Sequence, residues 1–306
     1  MKILASLITL LLSISLFCQN ENGDSEAASS ALTGELAGQT YAVVVGISDY
    51  QDKDIPDLQY ADKDALAFAG YLQSPAGGSL GEDHLKVLIN EQATQAQFAV
   101  ALDWLWEVVK ENDKAIIYFS GHGDVERRSF TQPGFLLCWD APANVYMGGG
   151  AFPLPMLQEV VTTLTLSNKA KVLVVTDACR AGKLSGSQVG GAQLTSSNLA
   201  RQWDNEIKIL SCQPDEYSIE GEQWGGGHGA FSYYLINGLY GLADRNKDQL
   251  VNLMELRGYL EENVSNEVQP QRQLPMTIGN GRVALASVDL EMLAEVREKE
   301  LDLSLI

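Results

Sequence analysis

Apolar positions along this chain fall into two patterns. Ala42-Val43-Val44-Val45-Gly46, Leu85-Lys86-Val87-Leu88-Ile89, Ala115-Ile116-Ile117-Tyr118-Phe119, Lys171 to Thr176 and Ile207-Lys208-Ile209-Leu210 are short, nearly unbroken runs. Their length and lack of alternation predict strands buried on both faces. Between them apolar residues recur at helical spacing. Leu58 to Leu72 carries Leu58, Ala61, Ala65, Phe68 and Leu72 near one face, and Thr94 to Glu111 carries Phe98, Leu102, Leu105, Trp106 and Val109. Further helices are predicted over Met156 to Leu166, entered through Pro153 and Pro155, over Ala230 to Tyr240 and over Leu253 to Val264. Gly134 to Trp139 reads as a short additional strand. Ser287 is expected to cap a C-terminal helix from Val288 to Glu300, with Asp289 and Glu291 in its first turn. Strand and helix alternate throughout, which predicts an α/β fold with a mostly parallel central sheet and helices on both faces.

Composition bounds this picture. With 45% hydrophobic residues among 306, spread evenly, the chain is expected to form one large domain over 40–287, followed by the helix within 288–306. Met1-Lys2 and the apolar run Ile3 to Phe17 read as a signal peptide within residues 1–19, too short for a stable membrane span. Export to the periplasm or the medium is the expectation. Cys18 offers lipoprotein anchoring as an alternative, which bulky Phe17 disfavours. Residues 20–39, rich in Ser, Ala, Gly, Asn and Glu, read as a flexible linker. The net charge of −19 excludes nucleic acid as the expected partner. Without Cys18 three cysteines remain, Cys138, Cys179 and Cys212, so an unpaired thiol is expected; a bridge between Cys138 and Cys212 is left open.

The candidate chemistry sits just past two of the predicted strands. Ser120-Gly121-His122-Gly123 follows one, and Asp177-Ala178-Cys179-Arg180-Ala181-Gly182 follows another, with His122 and Cys179 57 residues apart. Carboxyl ends of parallel strands are where open α/β sheets place reactive groups. Glycine-rich stretches, Gly148-Gly149-Gly150, Lys183 to Ser197 and Gly221 to Gly229, are expected as loops at that same end. These two segments, together with Val43 to Tyr50, Leu58 to Asp64, Ser211-Cys212-Gln213-Pro214-Asp215 and Gly229-Ala230-Phe231-Ser232-Tyr233, resemble the caspase-like clan of cysteine proteases. Within it they resemble the prokaryotic metacaspase-like branch, from about Tyr41 to about Ala286.

The resemblance implies a caspase-like three-layer sandwich and a cysteine endopeptidase. Cys179 would be the nucleophile and His122 its general base and acid, since a neighbouring imidazole ionises a thiol and supplies the leaving amine's proton. The amides of Gly123 and Cys179 would stabilise the oxyanion. Asp177 replaces the Gln that animal caspases carry two positions before the nucleophile, and Asp64 matches the second acidic position of the metacaspase pattern; Asp62 is the alternative if the match shifts by two. Two carboxylates would select Arg or Lys, so peptides and proteins with basic residues are the expected substrates. Self-processing is expected at Lys183 or Arg201, or at Arg127-Arg128. No cofactor is needed for this chemistry. Separately, Asp244, Asn246, Asp248, Leu250, Asn252 and Glu255 match a calcium loop, except that Gln249 stands where the sharp turn calls for Gly. The alternatives are an exported Arg-specific protease of the clostripain or gingipain type, and a non-catalytic interaction domain that keeps the fold.

Overall fold

The structure is a computed structural model that describes residues 38–178, 206–213 and 216–303. In chain order its first half comprises β1 (Thr40–Gly46), α1 (Ala61–Gln73), β2 (Leu85–Ile89), α2 (Gln95–Val108), β3 (Lys114–Ser120), β4 (Gly123–Val125), β5 (Gly134–Leu137), β6 (Ala151–Pro153), α3 (Leu154–Thr162) and β7 (Lys171–Asp177). Then follow β8 (Ile207–Leu210), β9 (Glu220–Gly221), β10 (His228–Gly229), α4 (Ala230–Asn237), β11 (Leu250–Asn252), α5 (Leu253–Glu267), β12 (Met276–Ile278), β13 (Ala284–Ser287) and α6 (Leu290–Leu303).

The central sheet has six described strands in the order β12-β8-β7-β3-β1-β2. All pair in parallel except β12, which runs antiparallel to β8 at the edge. The period of two that a strand imposes sorts its side chains into two cores. Val43, Val45, Ile117, Phe119, Val172 and Val174 face Phe98, Leu102 and Leu105 of α2 and Val160 and Val161 of α3. Their neighbours Ala42, Val44, Ile116, Tyr118, Leu173 and Val175 face Phe68 and Leu72 of α1, Phe231 and Leu235 of α4, and Leu256 and Leu260 of α5. Helices cover both faces, as the unbroken apolar runs require.

Two departures from the expected elements have local causes. Helix α2 ends at Val108 instead of Glu111 because Val109 is already extended, and its carbonyl accepts Asn168 Nδ2 at 2.8 Å. Ser287 does not cap the last helix. It ends β13, and Asp289 Oδ1 accepts the Glu291 and Met292 amides, both at 3.0 Å. Among the described residues no helix is long and apolar enough to cross a membrane.

Candidate active site

Register brings the two chemistry-bearing segments together. Ser120, the last residue of β3, pairs with Asp177, the last residue of β7, and the Gly121 amide donates to the Asp177 carbonyl at 3.2 Å. His122 lies two residues beyond one member of that pair; Cys179 lies two residues beyond the other, outside the described residues.

His122 is fully buried and held at three points. Its amide donates to the Tyr50 hydroxyl oxygen at 2.8 Å, its carbonyl accepts the Leu137 amide at 2.9 Å, and its Nε2 lies 2.8 Å from the Pro56 carbonyl oxygen. A carbonyl only accepts, so Nε2 carries the hydrogen and the lone pair of the neutral ring is on Nδ1. The Tyr50 ring lies 5.1 Å from the imidazole, centre to centre. Glycine at 121 is a packing necessity, because a Cβ there would come 2.9 Å from the Tyr50 hydroxyl and 3.0 Å from the Phe119 ring. Gly123 opens β4 directly after His122 and is buried.

The two predicted pocket carboxylates meet at one helix end. Asp177 is fully buried; its Oδ1 accepts from Ser218 Oγ at 2.5 Å and its Oδ2 from Ser232 Oγ at 3.0 Å. Each serine hydroxyl, having given its hydrogen to the carboxylate, can accept in turn. The Tyr118 hydroxyl lies 2.8 Å from Ser232 Oγ, and Gln273 Nε2 donates to Ser218 Oγ at 3.0 Å. Asp64, also fully buried, accepts the Gly229 amide on Oδ1 at 3.1 Å and on Oδ2 at 3.2 Å, with His228 Nδ1 2.9 Å from Oδ1. Gly229 is the N-cap of α4 and Ser232 lies in its first turn, so the positive end of that helix lies under both carboxylates. Gly46 is what lets α1 reach this place: a Cβ there would come 2.4 Å from Ala65 Cβ and 2.7 Å from the Ala61 carbonyl.

Asp62 points elsewhere. Its Oδ1 accepts Ser48 Oγ at 2.8 Å and its Oδ2 lies 3.3 Å from Asn90 Nδ2, an arrangement that fastens the β1–α1 loop. Cys138 and Cys212 do not bridge one another. Burial pushes the Cys138 thiol up, and Cys212 Sγ donates to the Glu216 carbonyl at 3.3 Å.

The candidate calcium loop closes on itself. Gln249 does adopt the left-handed backbone, with φ 66°, where Gly was the expected residue. Asp244 Oδ2 accepts the Gln249 amide at 3.0 Å, Asp248 Oδ1 the Leu250 amide at 2.9 Å and Asn246 Oδ1 the Asp248 amide at 2.8 Å. Asn252 and Glu255 form a reciprocal cap on α5. Among the described residues no group of three or more His, Cys, Asp or Glu side chains gathers to hold a metal. Lys183 and Arg201 lie outside the described residues, whereas Arg127 and Arg128 are exposed in the loop after β4.

Sequence reading missed Tyr50, the Pro56 carbonyl, Ser218, Ser232, His228 and Gln273. Tyr50 ends the motif Val43 to Tyr50, His228 falls in the glycine-rich stretch Gly221 to Gly229 and Ser232 in the motif Gly229 to Tyr233, but nothing in the sequence marked Pro56, Ser218 or Gln273.

A family profile described as the caspase domain matches residues 39–280. A probable protease of a Desulfuromonadales bacterium is 24% identical over 292 residues, covering 84% of this chain and 35% of that protein. The chain thus spans about a third of the length of that curated relative. A crystal structure of a Geobacter sulfurreducens protein superimposes with a TM-score of 0.53 at 14% identity, covering 82% of this chain and all of that one. At that identity it supports the α/β fold alone.

Proposed function

The chain belongs to the caspase-domain family, and from that premise we propose that it is a cysteine endopeptidase of the prokaryotic metacaspase-like branch, cutting after Arg or Lys. The observation that carries this reading is the Ser120–Asp177 register pair, which ends β3 and β7 side by side, two residues before His122 on one strand and, in the sequence, two residues before Cys179 on the other. The lone pair on His122 Nδ1 takes the Cys179 proton, and the thiolate sulfur attacks the carbonyl carbon of the scissile bond. The resulting oxyanion would be met by the amides of Gly123 and Cys179. Collapse of that adduct breaks the C–N bond, and the proton on His122 passes to the departing amine. Water, deprotonated by the same imidazole, then releases the acyl group as an acid and restores the thiol.

Specificity in this reading comes from Asp64 and Asp177. Both are buried and both lie at the N-terminus of α4, where a guanidinium or ammonium between them would be paired on two sides. An acidic side chain would meet like charge there. Calcium is no part of the chemistry. At Asp244 to Glu255 it would have to draw Glu255 out of its cap, so cap and cation compete for one carboxylate. Export through residues 1–19 belongs to the same proposal, and the N-terminal sequence of the protein recovered from cell fractions tests it.

The test of function is hydrolysis of matched fluorogenic peptides ending in Arg, Lys or Asp, by the mature protein and by its Cys179→Ala variant, with calcium and with chelator. Turnover of Arg and Lys peptides that disappears in the variant is expected. Preference for Asp overturns the pocket assignment. Equal turnover by the variant overturns the dyad.

A further inference from the structure

His228 stands against one of the two pocket carboxylates and has no part in the bond-breaking steps. Its Nδ1 lies 2.9 Å from Asp64 Oδ1, the oxygen that also accepts the Gly229 amide. The Asp64 side chain is fully buried while that of His228 keeps 20% of its surface exposed. The ring is therefore open in part to solvent protons and coupled to a fully buried carboxylate. Its position is fixed by tight packing. It follows a turn of three glycines with positive φ, Gly225, Gly226 and Gly227, and a Cβ on Gly227 would come 2.5 Å from the Tyr60 ring. On the other side Gly229 is committed to both oxygens of Asp64.

We propose that His228 is a specificity-determining residue that competes with the cationic side chain of the substrate for Asp64, so that a basic residue is held less well once the His228 ring is protonated. This rests on the reading of Asp64 as a substrate-binding carboxylate. A carboxylate only accepts, so the neutral ring donates Nδ1–H to Asp64 and keeps its lone pair on Nε2. A proton arriving at Nε2 turns that hydrogen bond into an ion pair, and the negative charge meant for the substrate is then neutralised from within the protein. Binding of a substrate cation and binding of this proton must oppose each other by the same factor in both directions.

Among the described residues the other ionisable groups around the ring are few. On α1 and just before it are Asp64, Lys63 and Tyr60, with the Lys63 ammonium 4.9 Å over the Tyr60 ring. Tyr233 on α4 places its ring 6.4 Å from the imidazole. Glu220 and Glu222 flank Gly221, the residue paired with His228, and Asp177 lies across the end of α4. Imidazole is the side chain of this set whose charge change, as a residue type, belongs to the range around neutral pH.

The test is the pH dependence of KM and kcat for an Arg-ended peptide, in the wild type and in His228→Asn, whose amide nitrogen replaces Nδ1 as donor but takes up no proton. In the wild type KM is expected to be on the order of tenfold higher at pH 5.5 than at pH 7.5. In the variant it should be flat, while the kcat profile, set by His122, stays unchanged. Superimposable KM profiles overturn the proposal, and absence of turnover in both proteins removes the underlying reading. A second measurement needs no variant: ring-proton NMR of His228 with benzamidine as the cation. Saturation with benzamidine should move the His228 titration midpoint to lower pH, and an unmoved midpoint with benzamidine bound counts against the competition.

Discussion

At His122 the fold selects one tautomer. The Pro56 carbonyl takes Nε2–H, which assigns the lone pair to Nδ1, and the Tyr50 hydroxyl holds the backbone of the same residue. Tyr50→Phe leaves the buried His122 amide without that acceptor, a loss of about 1–3 kcal/mol. Expressed in positioning, it should lower kcat roughly tenfold with KM within about twofold, read by steady-state kinetics on an Arg peptide. The carboxylates should behave in the opposite way. Asp177→Asn or Asp64→Asn removes a charge-assisted contact of about 1.5–3 kcal/mol, so kcat/KM for Arg peptides should fall roughly 10- to 150-fold. Most of that loss should appear in KM; an unchanged KM would separate these residues from the substrate. That Asp64 is buried and Asp62 is not was legible in the helical period. Asp64 lies three residues after Ala61 and four before Phe68, both on the buried face, while Asp62 lies off it. The network on Asp177 was not legible, because its donors Ser218 and Ser232 and their own partners Gln273 and Tyr118 converge only once four separate segments have folded.

Among the elements, the buried parallel strands were the clearest in the sequence. Leu85–Ile89 and Ile207–Leu210 have the expected bounds, and the run Ala115 to Phe119 is extended by one residue at each end, because a continuous apolar run has no other stable place in a sheet covered on both faces. The short antiparallel pieces β4, β6, β9 and β10 were illegible. Two or three residues carry no period, and their pairing depends on contacts distant in sequence. Packing of α1 on β1 makes a sharp prediction at Gly46. An added methyl would meet Ala65 Cβ and the Ala61 carbonyl, so Gly46→Ala should cost about 1–3 kcal/mol and lower Tm by roughly 2–12 °C. Activity should fall with it, since the same helix carries Asp64. At α5, Asn252→Ala removes the reciprocal cap with Glu255 and should cost about 1 kcal/mol, measured by denaturant unfolding. That variant should leave kcat/KM unchanged, because the cap lies outside the proposed site.

For the whole molecule, one end of the sheet carries the proposed site and the other bears on stability. Near the start of β8, the Lys208 ammonium lies 2.9 Å from Glu206 Oε1, with both side chains 2% exposed. Burial pushes the Glu206 carboxyl up to about 7, against an ordinary value of 4.5, even with Lys208 beside it. A raised carboxyl pKa means that the folded chain holds a proton that the unfolded chain has already released. The stabilisation is therefore full below about pH 4.5 and is lost as pH rises towards 7. Glu206→Gln should flatten this part of the Tm profile between pH 5 and pH 8; an unchanged slope would assign it to other groups. The proposed catalytic end is tested most directly by labelling the full chain with two chloromethyl ketone peptides that differ only in ending in Arg or Asp, followed by intact and peptide mass spectrometry. A single adduct from the Arg reagent is expected, located on Cys179 and lost in His122→Ala, with no reaction from the Asp reagent. Equal labelling by both reagents, or a Cys179 that stays unmodified by either, would contradict that expectation.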